Sequence, residues 1–444
     1  MKFPPIPPTV GGRLFAGVLL TASLSVLDST LVVPLLSTIA TDFGGGSAVA
    51  WLVAAYLVTS TVTIPIWGRA LDVRGERSIM WASLACFAAG SLLGTLAPNL
   101  GILIAARAIQ GIGAGGLIPV SQAIISGRCS PQERARLQVY YNGAYGAAAG
   151  LGPLIGGALV AVSWRWSFAL LLPCIAIAAL LLAGRMRSEP LTHERLPFDV
   201  RGSVVLTIGL VGILLGIERG QVLAAMVGLL FVAGFIALSL RSEEAVVPRR
   251  VITNRTTMWA AILLFLIGFG QYAILTFLPG ISEEIAPGLN AGLVVLPYTL
   301  IGMTLGAVTG PIAIRIGTRP LAIASVLLMG ASMATVALAP NYGVLLMAAG
   351  LMGLSSGLAI TPTLLLAQRS VAVTDVGAAT SLTVLLRNFG GAVGAAAVAV
   401  LIADGGVQTG FFVAGVIALL GLLPALMLPR PRQEQTLLES RKPA

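Results

Sequence analysis

Charge is scarce in this sequence. Only 10% of its 444 residues are Asp, Glu, Lys or Arg, against about 25% in ordinary soluble domains. Hydrophobic residues make up 57%, and the mean hydropathy is +0.96. A soluble protein of this composition could not cover its surface with polar groups. A cytosolic enzyme, a secreted disulfide scaffold and a disordered chain are all excluded. Cysteine is sparse too. Cys86, Cys129 and Cys174 form no CxxC pair and no metal-ligand spacing, so neither a disulfide framework nor a metal site is expected. The one histidine, His193, lies in a polar loop. There is no Ser/His/Asp set and no phosphate-binding loop, so no enzyme and no cofactor are expected. Lysine is nearly missing, with only Lys2 and Lys442 among 27 basic residues; no function follows from that bias.

What the chain has is apolar length. At roughly 20 residues per membrane helix, the material suffices for about fourteen spans. Arg13–Ala40 is too long and too weakly flanked for a cleaved signal peptide and reads as the first span. The others fall at about 47–67, 79–97, 99–127, 136–162, 165–184, 203–219, 221–240, 256–281, 289–314, 320–339, 343–368, 376–402 and 408–428. With both termini in the cytoplasm, all but four of the 27 basic residues fall on the cytoplasmic side. The exceptions are Arg165 and Arg219 in outside loops and Arg107 and Arg387 within spans. This is the positive-inside pattern, and a thirteen-span count would reverse every later loop and spoil it. The net charge of +10 is therefore topological and calls for no nucleic acid. The expected fold is all-α: a polytopic protein of 14 transmembrane helices in the inner (plasma) membrane.

The sequence also repeats at an offset of 242. Gly68, Gly75 and Arg77 map onto Gly310, Gly317 and Arg319; Gly111 and Gly115 map onto Gly353 and Gly357; Gly152 maps onto Gly394. One match among 53 glycines is chance, but one offset recurring in three places is not. The expected organisation is an N-terminal six-helix half (1–187), a cytoplasmic linker (188–202), an inserted two-helix hairpin (203–240), a second linker (241–255), a C-terminal six-helix half (256–430) and a cytoplasmic tail (431–444). Parallel halves with a midplane site between them are a transporter design. The hairpin carries no buried charge and is expected to pack peripherally.

Charge within a span is expensive and by default functional. Three cases stand out. Asp28 lies 15 residues after Arg13 and 14 before Asp42, roughly 20 Å from either end at about 1.5 Å per residue. Arg387 is also deep, and Arg107 lies in the outer half of its span. Asp28 has two readings. It is a structural carboxylate, paired with an arginine or capped by Ser25, Ser29 and Thr30, or it is a protonation switch. Burial disfavours the charged carboxylate and a nearby arginine favours it, so a change in either between two conformers would couple proton movement to conformation. Arg107 would tune Asp28 or assist proton transfer. Arg387 would bind an anionic substrate group or neutralise a backbone terminus.

Four stretches resemble the major facilitator superfamily, in its fourteen-span drug:proton antiporter branch, and the resemblance covers nearly the whole chain. Leu27-Asp28-Ser29-Thr30-Leu31-Val32-Val33-Pro34 resembles the first-span L-D-x-T signature, with its proline early. Gly68–Arg77 resembles the G-x-L-x-D-x-x-G-x-R loop motif, with Ala70-Leu71 slightly displaced, and Arg107–Gly116 resembles R-x-x-Q-G-x-G-x-G. Gly146-Ala-Ala-Ala-Gly150-Leu-Gly152-Pro153-Leu-Ile-Gly156-Gly157 resembles the fifth-span antiporter pattern; its glycines and proline make a flat, kinkable face.

The resemblance implies a proton-coupled exporter with Asp28 and Arg107 in proton coupling. It further implies a conformational latch built from Gly68, Asp72, Gly75, Arg77 and Asp375. Asp72 would dock near the start of span 376–402, where Thr374-Asp375 is an N-cap signal. The second-half copy has Ile314 in place of Asp72, so the latch is one-sided.

No acid lies deep in spans 256–281, 289–314 or 343–368, which disfavours dicationic substrates. Arg387, Gln271, Tyr56, Tyr145, Tyr272 and Tyr298, with Tyr140, Tyr141 and Phe269, are candidates to line a cavity. The expected partners are a small hydrophobic or amphipathic substrate, protons and membrane lipid, for a chain acting as a monomer. Drug export, export of a membrane lipid, proton-coupled import of a polar metabolite and a non-transporting scaffold or sensor stay open at this point.

Overall fold

Long apolar runs interrupted by glycine, proline and short polar turns give one kind of element throughout. The computed structural model describes residues 10–44, 51–129, 131–159, 162–186, 200–218, 220–241, 245, 247–287, 289, 291–372, 375–431 and 434, and no strand occurs among them. The helices are α1 (Gly12–Leu31), α2 (Leu36–Phe43), α3 (Trp51–Thr95), α4 (Leu100–Ser126), α5 (Pro131–Leu159), α6 (Arg165–Ala169), α7 (Leu171–Leu182), α8 (Val200–Glu218), α9 (Val222–Arg241), α10 (Arg249–Ile252), α11 (Arg255–Ile285), α12 (Leu296–Ile316), α13 (Thr318–Ala337), α14 (Tyr342–Arg369), α15 (Val376–Leu419) and α16 (Leu422–Met427). His193, Arg219, Thr374, residues 188–199 of the first linker and 435–444 of the tail lie outside the described residues.

Among the described residues, ten helices are long and apolar enough to cross a membrane, or up to eleven if one bent pair counts as a span. The protein is a multi-pass membrane protein. The difference from the expected fourteen has local causes. Val376–Met427 counts once at 52 residues, although the backbone breaks at Gly406 (φ 77°, ψ 172°). Val204–Ile217 falls short of the required length. α5 carries glycine at 143, 146, 150, 152, 156 and 157, which holds down its hydropathy even beyond its polar opening run.

The breaks follow from the residues. Pro34 has no N–H to donate, and a 3-10 turn at Val33–Leu35 separates α1 from α2. Gly75 sits at φ 78°, ψ 163° inside α3, and its repeat mate Gly317 sits at φ 85°, ψ 158° before α13. This positive-φ region is glycine's, which is why both copies of the loop keep glycine there. Asn99 and Asn341, also 242 apart, cap α4 and α14: each side chain accepts from the backbone N–H three residues on.

The chain divides into two compact units, Met1–Leu196 with Asn290–Leu293, and Pro197–Leu289 with Val294–Ala444. The first is built on side chains such as Phe15, Leu24, Phe87 and Leu117. The second is built on Leu263, Ile267, Met329, Met352 and Phe411. Within the second unit α8 and α9 pair closely, Gly212 and Gly216 facing Gly228 and Ala225. α8 also touches α15, while α9 leaves Val222, Leu223 and Leu230 at least 70% exposed. Such a face suits lipid, where no hydrophobic penalty attaches to it.

Candidate functional site

The first unit folds around a buried charge. α1 carries Asp28 to a fully buried position, and α4 carries Arg107 beside it, 1% exposed. Arg107 Nη1 donates to both carboxylate oxygens, at 2.9 Å to Oδ1 and 2.8 Å to Oδ2. The same nitrogen donates to Gln110 Oε1 at 2.8 Å, and Arg107 Nε donates to the Leu52 carbonyl at 3.1 Å. Gln110 Nε2 in turn donates to Ser91 Oγ at 2.9 Å. The Tyr56 ring lies 4.2 Å from the guanidinium carbon, a favourable cation–π distance. Tyr56 itself is fixed from its far end, its hydroxyl donating to the Ser25 carbonyl at 2.8 Å.

The spacing brings these groups together. Arg107 and Gln110 are three residues apart and share one helix face. Gly111 sets the distance between α4 and α3, because a Cβ there would come within 2.5 Å of the Tyr56 carbonyl. The capping expected of Ser25, Ser29 and Thr30 does not form around Asp28. Ser29 and Thr30 donate to the Val26 carbonyl, and Ser25 faces Tyr56, as short hydroxyl side chains on a helix tend to satisfy the preceding turn. Gln110 and Ser91 had no assigned role from sequence; the i, i+3 relation to Arg107 was the available signal for the first of them.

The second unit has a cluster at related positions that joins an arginine, an amide and a phenol. Gln271 Nε2 donates to the Tyr298 hydroxyl at 2.5 Å, and Arg387 Nη2 donates to Gln271 Oε1 at 3.2 Å. Tyr298 is the repeat mate of Tyr56, and Gln271 stands one residue past the mate of Asp28. Tyr272 lies over Gly391, where a Cβ would meet its ring. Tyr141 and Phe269 are buried in the cores of their units, while Tyr140 packs edge-on against Phe15 and Tyr145 is half-buried.

On α5, Gly152, Pro153 and Gly156 are buried, as is Gly146, while Gly150 and Gly157 are partly exposed. Gly152 and Gly156 are the residues that receive α1. A Cβ at Gly152 would stand 3.1 Å from the Leu27 carbonyl and closer still to Thr30, and one at Gly156 would strike the Leu31 carbonyl. The antiporter-like glycines thus place the helix that carries Asp28.

In the 68–77 loop, Gly68 is partly buried, Gly75 is buried, Arg77 is exposed, and the Asp72 side chain lies outside the described residues. Glu76 is buried and paired with Arg128. Asp375 occupies the N-cap position of α15 but makes no side-chain capping bond. Its carboxylate instead lies 3.7 Å from Arg250 Nη2, which competes for it.

The chemistry on offer is a titratable carboxylate held by an arginine, both buried within a helix bundle. Among the described residues no group of three His, Cys, Asp or Glu could hold a metal.

The chain is similar to known proteins. The Major Facilitator Superfamily profile matches residues 18–285 and 260–443. The multidrug transporter protein MdtP of Bacillus subtilis is 29% identical over 402 residues, covering 86% of this chain and 73% of its own length. A multidrug resistance protein B homolog of Mycobacterium tuberculosis is 29% identical over 419 residues, covering 88% and 77% respectively. In fold, the chain resembles the crystal structure of the human organic anion transporter MFSD10 (TETRAN), with a TM-score of 0.64 at 19% identity over 94% of this chain and 100% of that one. It also resembles an auto-inhibited peptide transporter of the POT family, with a TM-score of 0.67 at 14% identity over 97% of each chain. Taken with the profile match across nearly all of its length, these likenesses place the chain in the Major Facilitator Superfamily of membrane transporters.

Proposed function

We propose that the chain is a proton-coupled antiporter that exports hydrophobic or amphipathic small molecules by alternating access. It would act as a monomer in the inner (plasma) membrane, with fourteen spans and both termini in the cytoplasm. The fourteen-span reading counts α3 and α15 as two crossings each, divided at Gly75 and Gly406, and counts α5, α8 and the bent α12 as crossings. The relatives named for multidrug transport and resistance support small-molecule export.

The observation that carries the reading is the Asp28–Arg107 pair, with side chains 0% and 1% exposed. Protonation of Asp28 would remove its charge and weaken the charge-assisted bonds to Nη1. Arg107 would then still have the Gln110 amide oxygen, the Leu52 carbonyl and the Tyr56 ring. A guanidinium that keeps partners in both states lets the carboxylate exchange its proton without leaving a bare buried cation. Arg387, Tyr56, Tyr145, Gln271, Tyr272 and Tyr298 are the proposed substrate-contacting residues. Gly68, Asp72, Gly75, Arg77 and Asp375 keep the latch role that the resemblance gives them.

The test is efflux of a fluorescent amphiphile from proteoliposomes under an imposed pH gradient. Asp28→Asn should abolish the gradient-driven component while the protein still inserts and folds. Undiminished gradient-driven transport by that variant would remove the proton role of Asp28.

A further inference from the structure

Beside the charge pair lies a small apolar cluster, separate from the main core of the first unit. It gathers Leu31, Leu35, Leu52, Leu103, Trp164 and Phe168, none more than 1% exposed. Leu31 is one turn beyond Asp28, Leu103 is one turn before Arg107, and Leu52 supplies the carbonyl that Arg107 Nε reaches. The cluster therefore covers the pair on the side toward Asp42, Ala97 and Arg165, the outer side in the proposed orientation. A buried water needs two to four polar partners. The one polar side-chain atom among these six residues, Trp164 Nε1, is already bound, donating to Asp42 Oδ2 at 2.7 Å.

Two aromatic side chains hold the cluster in place. Trp164 is tied to α2 through Asp42. The Arg165 guanidinium lies 4.3 Å over the Trp164 ring and donates to the Ala97 carbonyl at 3.2 Å. Phe168 meets Trp164 edge-on, with centroids 6.2 Å apart and planes at 89°. It fills a notch at Gly94, where a Cβ would come within 2.6 Å of its ring. The Phe168 ring also lies 6.0 Å from the Arg107 guanidinium carbon. A chain of contacts thus runs from Asp42 at the helix end to Trp164, Phe168, Arg107 and Asp28.

We propose that Trp164 and Phe168 are positioning residues that seal the Asp28–Arg107 pair from water on the Asp42 side and seat the Arg107 guanidinium. Proton exchange at Asp28 then takes place from its other side, toward Ser25 and Tyr56. The seal itself stands on geometry; its role in coupling rests on the proton-antiport reading above.

The test has two readouts, in a background carrying Cys86→Ser, Cys129→Ser and Cys174→Ser. In the first, Leu31→Cys is exposed to a membrane-impermeant maleimide added to intact cells. The cysteine should stay unlabelled with the seal intact and become labelled several-fold faster with Phe168→Ala or Trp164→Ala. Phe168→Leu, which keeps the site apolar and filled, should protect it again. Labelling that is unchanged by both alanine variants overturns the seal, provided each variant elutes as the parent does from a sizing column; Trp164→Ala decides if Phe168→Ala fails to fold.

In the second readout, proteoliposomes without substrate are given a pH gradient. Phe168→Ala should raise the proton leak, and Phe168→Ala with Asp28→Asn should return it to the parent level. A raised leak that survives Asp28→Asn overturns the assignment of Asp28 as the group being sealed. If the parent protein shows no gradient-driven transport at all, the antiport reading fails, and the maleimide result alone decides the seal.

Discussion

Tyr56 and Tyr298 stand 242 residues apart and meet their neighbours in the same way: each turns its backbone toward a glycine on the helix packed against it. A Cβ at Gly111 would come within 2.5 Å of the Tyr56 carbonyl, and one at Gly353 within 2.7 Å of the Tyr298 carbonyl. The correspondence extends one turn on, where Gly115 meets the Ser60 carbonyl and Gly357 the Gly302 carbonyl. Gly152 meets Leu27 and Gly394 meets Phe269, again at the same offset. The backbone packing is thus duplicated, but the side chains diverge. Tyr56 lies beside an arginine paired with an acid, Tyr298 beside an amide that accepts from an arginine.

The close approach makes a sharp stability prediction. Gly111→Val and Gly353→Val should each destabilise their helix pair by at least the roughly 1–3 kcal/mol typical of overpacking, because the atoms in the way are backbone. Gly377, which has no neighbour within 4 Å, is the control. Melting of the detergent-solubilised protein checks this; equal melting temperatures for Gly111→Val and Gly377→Val would contradict it.

A second prediction separates charge from contact. Arg107→Ala leaves Asp28 buried without its cation, and breaking such a pair costs about 3–5 kcal/mol. Arg107→Ala combined with Asp28→Asn removes both charges and should recover most of that stability while gradient-driven efflux stays lost. The double variant melting no higher than Arg107→Ala alone would show that Arg107 stabilises the fold through its contacts with Leu52, Gln110 and Tyr56, not through Asp28.

The membrane character, the mid-span charges and the 242-residue repeat were all legible in the sequence, because each is carried by residue type and spacing alone. Asp28 and Arg107 could be singled out, since a charge in lipid needs a reason. Sequence alone offers their pairing as one reading among others, because they lie on different helices and the packing of those helices decides whether they meet. The same limit hid Ser91 and Phe168, ordinary residues in apolar runs whose importance comes from what they touch. Asp375 shows the converse. Its N-cap position follows from local sequence, but Arg250, more than a hundred residues away, takes up its carboxylate.

The amide relay beyond Arg107 gives a third prediction. Ser91→Ala deprives Gln110 Nε2 of its partner, and Gln110→Leu deprives Arg107 Nη1 of a neutral acceptor. Ser91→Ala leaves a buried amide donor unsatisfied, at a cost of about 1–3 kcal/mol, whereas Gln110→Leu leaves Arg107 Nη1 its two bonds to Asp28. Only Gln110→Leu touches the arginine directly, so it should also alter the pH dependence of efflux, while Ser91→Ala should lower the melting temperature and leave that dependence alone. Efflux measured across a pH series distinguishes them; identical profiles for Gln110→Leu and the parent would make the amide a packing residue.

The fourth prediction concerns the end of the chain. In the first half, Glu76 opens the helical stretch after Gly75 and pairs with Arg128. Its repeat mate is Thr318, which has no charge, and here the acid comes from elsewhere in sequence: Glu434, 3% exposed. Glu434 Oε2 accepts from the Thr318 backbone N–H at 2.7 Å and Oε1 accepts from its hydroxyl at 2.8 Å. Pro431 covers Gly317 from the same segment. A carboxylate at a helix start satisfies an orphan N–H and complements the helix dipole. Glu434→Ala should therefore cost about 1.5–3 kcal/mol, the range for a hydrogen bond to a charged group. A chain ending at Arg430 should melt at a temperature no higher than Glu434→Ala, since it also loses the Pro431 contact. In a double-mutant cycle with Thr318→Val, part of the loss should be shared, because both substitutions remove the hydroxyl bond. Strict additivity of the two would mean that the hydroxyl bond adds nothing and that the tail acid stabilises α13 through the backbone N–H and its charge.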